Sequence, residues 1–151
     1  MLELARPSDR EVVNILANQI HTMHVAWRPD IYLGTEELFP LDRFSEAVRQ
    51  RQLYVARIDN QVVGYVLLKI RQYDMPGHVS RKVMLLDEIC VNEICRRQGI
   101  GTEMMIEVRA LARAFRCTHL QLSVYPQNDE AVSFYQKCGF MIQSITMSTS
   151  V

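Results

Sequence analysis

The sequence lacks long apolar runs and lacks an excess of charge of one sign. Its 17 Lys and Arg residues balance its 17 Asp and Glu residues, so the formal net charge is zero. No stretch approaches the roughly 18 apolar residues that a transmembrane helix needs, and we expect no membrane partner. Without surplus basic residues, we also expect no nucleic-acid partner. The amino-terminal residues include charges and no apolar core, so we expect no signal peptide.

Cysteine is also scarce. The four cysteines are Cys90, Cys95, Cys117 and Cys138, and none belongs to a Cys-x-x-Cys motif. This spacing predicts neither a disulfide framework nor a zinc site, and we expect no bound metal. Free thiols are typical of a reducing compartment, so we expect a cytoplasmic protein.

The remaining composition is that of a globular protein. Hydrophobic residues make up 48% of the chain and charged residues 23%, close to the average for soluble domains. A length of 151 residues fits one domain, spanning 1–151. No repeat or low-complexity tract divides it.

Apolar periodicity predicts the element order β-α-α-β-β-β-α-β-α-β-β. Ser8 and Glu11 have the spacing of a capping box for the first helix, and Asp59-Asn60 marks a hairpin turn. The β-α-β step through the third helix requires a parallel strand pair, so we expect an α/β (α+β) protein with a mixed sheet and helices on both faces. The predicted strands span 2–6, 53–58, 62–70, 82–92, 119–125, 140–142 and 145–150. The first predicted helix ends near residue 24, and the other three span 41–51, 99–115 and 128–138.

One glycine-containing segment lies between a predicted strand and a predicted helix. It reads Arg96-Arg97-Gln98-Gly99-Ile100-Gly101-Thr102. The first N–H groups of a helix have no internal partners, and the helix dipole adds positive charge, so this segment is suited to a diphosphate. Met104 stands where the dinucleotide fingerprint needs a third glycine, and no P-loop lysine is present. A glycine turn with solvated arginines is the alternative.

A second segment runs from Tyr125 to Phe140, and the two segments together resemble the GNAT superfamily of N-acetyltransferases. The first fits that family's Gln/Arg-x-x-Gly-x-Gly/Ala loop, and the second fits its Asn-x-x-Ala-x-x-x-Tyr-x-x-x-Gly-Phe block. The matching residues are Arg96, Gly99 and Gly101 in the loop, and Asn128, Ala131, Tyr135, Gly139 and Phe140 in the block. The element order agrees over essentially the whole chain.

The resemblance implies the GNAT acyl-CoA N-acyltransferase fold, in which two central parallel strands splay apart. It also implies direct transfer of an acetyl group from acetyl-CoA to a primary amine. The pantetheine arm would pair with the strand before the loop, whose N–H near Val91 would stabilise an oxyanion. A homodimer is compatible with it, because small members are commonly dimeric. The implied CoA-binding residues are Ile89, Cys90, Val91, Arg96, Arg97, Gln98, Gly99, Ile100, Gly101, Thr102, Asn128, Ala131 and Tyr135.

Two residues are candidates for proton transfer. Glu88 is an acid in an apolar strand and is our candidate for the general base, although it could be a strand-end acid without a catalytic role. Tyr135 matches the family's tyrosine near the CoA sulfur and would protonate the thiolate, or it could be a packing residue. In a regular strand Asp87 and Glu88 face opposite sides, so Asp87 points away if Glu88 shares a face with Cys90.

The acceptor side is less well specified. Trp27, Tyr32, Tyr73 and Glu88 are the candidate substrate-binding residues, and we expect a small-molecule amine. A protein or peptide N-acetyltransferase and a catalytically silent acyl-CoA-binding regulatory module are the alternatives. Arg28 and Asp30 could pair across a turn or bind substrate.

Two further features favour structural roles. Cys90 could be a nucleophile, but core packing is favoured. His21 and His24 share a helix face, but no third metal ligand accompanies them.

Overall fold

A computed structural model describes all of residues 1–151 and contains one mixed sheet with helices on both faces. The strand order is β1-β2-β3-β4-β5, with antiparallel pairing up to β4 and a parallel β4–β5 pair. This confirms the predicted fold class. The strands are β1 (Leu2–Leu4), β2 (Leu53–Ile58), β3 (Gln61–Tyr73), β4 (Arg81–Val91) and β5 (His119–Leu122); the helices are α1 (Arg10–Trp27), α2 (Leu41–Arg49), α3 (Ile100–Ala114) and α4 (Asp129–Lys137). No helix is both long and apolar enough to cross a bilayer.

The β2–β3 hairpin turns where the sequence predicts it. Asp59 and Asn60 have φ angles of 47° and 63°. A two-residue loop with both central residues in the left-handed region matches the twist of antiparallel strands. The hairpin prediction is therefore confirmed.

Strand β4 contains one extra residue. Leu67 of β3 pairs with Glu88, but the next β3 residue, Leu68, pairs with Leu86, so Asp87 has no partner in the register. Such a bulge reverses the alternation of side chains beyond it. Leu86 consequently packs on the α3 side of the sheet, whereas Cys90 packs on the α1 and α2 side.

Each sheet face has its own apolar core. Val13, Phe39 and Tyr65 are among the buried residues between the sheet and α1 with α2, and Met104 and Val108 are among those beneath α3. Buried apolar side chains recur at helical spacing along α1 and α3, which explains why both helices pack against the sheet.

Gly64 permits a close approach between β3 and β4. A Cβ atom at this position would lie 2.5 Å from the carbonyl oxygen of Cys90 and 3.2 Å from the sulfur of Met104. Any side chain would push β3 away from β4 and from α3. Glycine at this position therefore holds the end of β4 against its neighbour.

Two local predictions are wrong. Residues 140–142 and 145–150 form no strand, because their backbone pairs with no strand of the sheet. At the start of α1 the N-cap position is held by Asp9 rather than Ser8, and its side chain caps no N–H of α1. A short 3-10 helix over Pro7–Asp9 precedes α1, and there the Asp9 carboxylate accepts the N–H of Arg6 at 2.8 Å.

Candidate active site

The two parallel strands separate halfway along β4. Their pairing runs from Val83 with His119 to Leu86 with Leu122 and then stops, while β4 continues to Val91. The Asn92 N–H points to β3, where it donates to the Val63 carbonyl at 2.8 Å. Because antiparallel strands alternate their hydrogen-bonding side, the N–H groups of Ile89 and Val91 point into the gap. This open edge can pair with an extended ligand that carries amides.

The turn before α3 exposes backbone donors at one end of the gap. Gly99 has a φ of 82° and precedes the helix without any side chain that caps it. The first backbone hydrogen bond of α3 joins the Glu103 N–H to the Gly99 carbonyl at 3.1 Å. The N–H groups of Ile100, Gly101 and Thr102 therefore have no intrahelical partner and favour an anion.

The two arginines of this turn have different partners. Arg96 donates through Nε to the Val91 carbonyl at 3.0 Å, which ties the turn to the end of β4. Arg97 lies 2.9 Å from Glu130 of α4, and both side chains are largely exposed. An exposed pair of this kind stabilises the protein little. The Arg97 guanidinium is thus free to exchange its carboxylate partner for another anion, and the neighbouring Gln98 is exposed as well.

Gly101 lies at the contact between α3 and α4. A Cβ atom there would be 3.4 Å from the Phe134 ring and 3.7 Å from the Val91 side chain, which is ordinary contact distance. Alanine would therefore fit, but a longer side chain would project into the space before the helix.

Helix α4 carries Asn128 and Tyr135. The side-chain oxygen of Asn128 accepts the Ala131 N–H at 3.2 Å, which confirms the predicted helix cap. Tyr135 packs between Phe134 and Phe140, with ring centroids 5.4 and 5.8 Å away. Burial raises the pKa of Tyr135 to about 12, so the phenol keeps its proton at neutral pH. No protein group hydrogen-bonds this hydroxyl, which leaves it available to a ligand.

Glu88 lies on the α1 and α2 side of the sheet and has two partners that the sequence did not indicate. The Tyr65 hydroxyl donates to Oε2 at 2.7 Å, and Arg43 of α2 donates to Oε1 at 2.9 Å. Burial and the charge of Glu88 raise the pKa of Tyr65 well above its usual value, so this phenol remains the donor. The carboxylate is still 30% exposed and is reachable by a third group.

Asp87 does not share these partners. Its carboxylate pairs with Lys69, which lies two residues along β3 from Leu67 and therefore on the same face of the sheet. The alternation expected for a regular strand fails here because of the bulge. The two neighbouring acids therefore lie on the same side of the sheet and differ in their partners: Lys69 for Asp87, and Tyr65 with Arg43 for Glu88.

An aromatic cluster lies where α1 ends and the chain leaves β5. The hydroxyls of Tyr32 and Tyr125 are 2.8 Å apart, and the His24 ring lies 5.0 Å from Tyr32 and 5.5 Å from Tyr125. Trp27 adjoins His24 at 5.9 Å. Burial and the charge of His21 lower the pKa of His24, while the charge of Glu88 opposes that change. Glu88 therefore acts electrostatically on this cluster.

Three other predicted residues have separate surroundings. Tyr73 lies six residues along β3 from Leu67, which is the partner of Glu88. The separation is about 20 Å, so we leave Tyr73 out of the proposed site.

Arg28 forms a two-pronged pair with Asp30, at 2.8 and 2.7 Å. This pair stabilises the turn after α1.

Cys90 is buried in the core beneath α1. Its thiol donates to the Leu16 carbonyl at 3.3 Å. Burial raises its pKa to about 11, so it is a poor nucleophile at neutral pH. These observations favour a packing role.

Of the residues that sequence reasoning missed, Tyr125 had the clearest signal. It opens the second motif segment and follows β5 directly. Tyr65 could have been placed by alternation along β3. Arg43 had no signal, because it lies 45 residues from Glu88 in the chain.

Comparisons with known proteins agree with this geometry. The sequence model of the acetyltransferase (GNAT) family matches residues 20–140. The L-amino acid N-acetyltransferase AaaT of Escherichia coli K12 is 28% identical over 132 residues, covering 83% of this chain and 75% of that protein. The putative phosphinothricin acetyltransferase YwnH of Bacillus subtilis 168 is 25% identical over 142 residues, covering 92% and 82%.

Solved structures show the same fold. A mutant of the BH1408 protein from Bacillus halodurans superposes with a TM-score of 0.94 at 28% identity, over 100% of this chain and 99% of that one. The aminoglycoside N-acetyltransferase AAC(6')-Iy in complex with CoA has a TM-score of 0.67 at 15% identity, over 100% and 98%. The chain therefore belongs to the acetyltransferase (GNAT) family and is an acetyl-CoA-dependent enzyme that acetylates an amine.

Proposed function

We propose that this protein transfers the acetyl group directly from acetyl-CoA to a small primary amine within a ternary complex. The observation that carries the proposal is the open edge of β4. It begins beside Glu88, which has a partly exposed carboxylate, and leads to the free N–H groups at the start of α3. One groove thus offers a site for a diphosphate, a strand for an amide-bearing arm and a proton acceptor.

The donor would be held by backbone groups. The N–H groups of residues 100–102 would bind the diphosphate, with Arg97 released from Glu130 to assist. Ile89 and Val91 would pair with the pantetheine amides as an added strand. Arg96 would hold the turn to β4 through its bond to the Val91 carbonyl.

Three groups of this chain would serve the chemical step. Glu88 would take the proton from the ammonium, directly or through water, because only the neutral amine attacks. The N–H of Val91 would stabilise the oxyanion that develops on the thioester carbonyl. Tyr135 would donate a proton or a hydrogen bond to the departing thiolate, because burial keeps its hydroxyl protonated.

A compact acceptor is favoured by the aromatic cluster. The rings of His24, Tyr32 and Tyr125 would line one side of the groove, and aromatic faces attract cations. An ammonium would then pass from these rings to Glu88. The acidic groove that a protein or peptide acceptor favours is not evident here, because Arg43 neutralises Glu88 and Lys69 neutralises Asp87.

The proposal is tested with a panel of amines incubated with acetyl-CoA, following free-thiol release over time. The panel contains amino acids, polyamines, an aminoglycoside and a peptide with a free amino terminus. We expect amine-dependent release with a small amine and none without amine. Release only with the peptide would favour the protein-modifying alternative. CoA binding without any release would favour a silent regulatory module.

Replacement of Gly101 by aspartate tests the diphosphate site. Gly101→Asp places a side chain and a negative charge before α3, so CoA affinity measured by calorimetry should fall at least about tenfold, or ~1.4 kcal/mol. Gly101→Ala is the matched control, because its Cβ meets only ordinary contacts. Its affinity should be unchanged. Equal affinity in the folded aspartate variant would contradict the assignment.

A homodimer is part of the proposal. It is supported by residues 141–151, which are exposed, carry apolar side chains and form no backbone–backbone hydrogen bond. The cytoplasmic location expected from the free cysteines stays a prediction.

A further inference from the structure

We propose that Arg43 binds a carboxylate on the carbon next to the acceptor amine. The acceptor is then an α-amino acid, an assignment that rests on the acetyl transfer proposed above. Arg43 lies on α2, and its Nη2 group donates to Oε1 of Glu88 at 2.9 Å. A guanidinium is therefore in direct contact with the carboxylate that would receive the proton of the amine.

The guanidinium of Arg43 has a fixed orientation and unused donors. Its Nη1 group donates to the Leu38 carbonyl, and its central carbon lies 4.1 Å from the centroid of the buried Phe39 ring. A guanidinium carries five N–H donors, of which Leu38 and Glu88 each accept one. The side chain is 42% exposed, so the remaining donors can reach a ligand. A planar group held in this way is suited to a carboxylate.

The stability of the fold does not explain an arginine at this position. The Arg43 and Glu88 side chains are 42% and 30% exposed, and an ion pair with this exposure stabilises a protein little. Phe44 and Ala47 already anchor α2 in the core between the sheet and the helices. A role in binding is therefore the better explanation for Arg43.

The charges beside the proposed base favour an acceptor that carries both signs. Arg43 and Glu88 together have no net charge, so an ammonium that approaches Glu88 also approaches a guanidinium. Like charges at such short range repel each other. A carboxylate on the acceptor would offset this repulsion by pairing with Arg43. A polyamine, whose charges are all positive, has no group that could do so.

The spacing of the two protein groups also fits an α-amino acid. In such a molecule the amine nitrogen and the carboxyl carbon are about 2.5 Å apart. Arg43 Nη2 and Glu88 Oε1 are separated by a comparable 2.9 Å. The ammonium can therefore face Glu88 while the carboxylate faces Arg43, so that opposite charges alternate around the four groups. The amino terminus of a peptide lacks this carboxylate, because its neighbouring carbonyl belongs to an amide.

Matched pairs of acceptors test the proposal at neutral pH. Each member of a panel of L-amino acids is compared with its primary amide, and kcat/KM is measured by thiol release from acetyl-CoA. The amide keeps the amine and the side chain but has no negative charge. Because a carboxylate stabilises the neighbouring ammonium, the amide contains more free amine and would react faster if no group bound the carboxylate. We expect the wild type to prefer the amino acid instead, by on the order of 10–100-fold.

Substitution of Arg43 should remove this preference. In Arg43→Gln, kcat/KM should fall by on the order of 10–100-fold more for the amino acid than for its amide. Any effect of the variant on Glu88 or on the packing of α2 acts on both acceptors, so their ratio isolates the carboxylate contact. Arg49→Gln is the matched control, because Arg49 also lies on α2, is largely exposed and pairs with Glu46. It should keep the wild-type preference.

The outcomes separate this proposal from the proposed acetyl transfer. Acetylation of amides or polyamines in preference to amino acids, or a preference that survives in Arg43→Gln, would overturn the role of Arg43 and leave the transfer intact. If no amine is acetylated, the transfer itself fails, and calorimetry with CoA-saturated protein then decides the role of Arg43. Tighter binding of the amino acid than of its amide, lost in Arg43→Gln, would support the carboxylate site; equal binding would overturn it.

Discussion

Tyr135→Phe should lower turnover by roughly 10²–10⁴-fold and leave CoA affinity nearly unchanged. The substitution keeps the ring contacts with Phe134 and Phe140 and removes only the hydroxyl. Because no protein group bonds that hydroxyl, its loss should not disturb the fold. Because the pKa of Tyr135 is raised to about 12, the wild-type phenol is protonated throughout the neutral range, and the deficit should be present across that range.

The measurement is steady-state thiol release with the best acceptor of the amine panel, beside calorimetry with CoA. Phe134→Leu serves as a control for the packing of α4, because it alters the aromatic contacts of Tyr135 and keeps its hydroxyl. We expect that control to retain most of its turnover. Full activity in Tyr135→Phe would reduce Tyr135 to a packing residue.

Glu88→Gln should lower the acetylation rate by roughly 10²-fold or more, while CoA affinity stays intact. The amide is nearly the same size as the carboxylate and can still accept the hydroxyl of Tyr65, but it cannot accept a proton from the amine. Without the protein base, the rate should rise with pH only as the amine itself loses its proton. Raising the pH should partly restore the rate, because a lysine-like amine with a pKa of about 10.4 then supplies more free base.

Asp87→Asn is the matched control for this experiment. It removes a neighbouring charge whose partner is Lys69 rather than Arg43 or Tyr65. We expect a near-normal rate and an unchanged pH profile. If Asp87→Asn shows the loss and Glu88→Gln does not, the base is misassigned. If neither matters, solvent deprotonates the amine, and the two acids only attract cations.

Features set by neighbouring residues could be predicted from the sequence. The Asp59-Asn60 turn, the Asn128 cap and the glycine turn before α3 each depend on a few consecutive residues, and each is present. The separation of β4 from β5 followed from the family resemblance rather than from local pattern. These features are enough to locate the proposed donor groove.

Features that depend on distant partners could not be predicted. Arg43 reaches Glu88 from another element, and no local pattern encodes that contact. The bulge at Asp87 changes the register by one residue, which apolar periodicity does not resolve. Residues 145–150 have a strand-like pattern, yet they form no strand, because pairing needs a neighbour that the pattern does not specify.

The bulge at Asp87 gives β4 two sections of opposite parity. In the first section, even-numbered positions such as Met84 and Leu86 contribute to the core beneath α3; in the second, even-numbered Cys90 contributes to the core beneath α1. Positions of equal parity on the two sides of Asp87 are therefore not equivalent. An alignment that shifts one residue across this point would exchange the catalytic candidate with a core position. Loss of the extra residue would restore regular alternation and leave Glu88 opposite Leu67 and beside Tyr65, whereas a second added residue there would turn Glu88 toward α3.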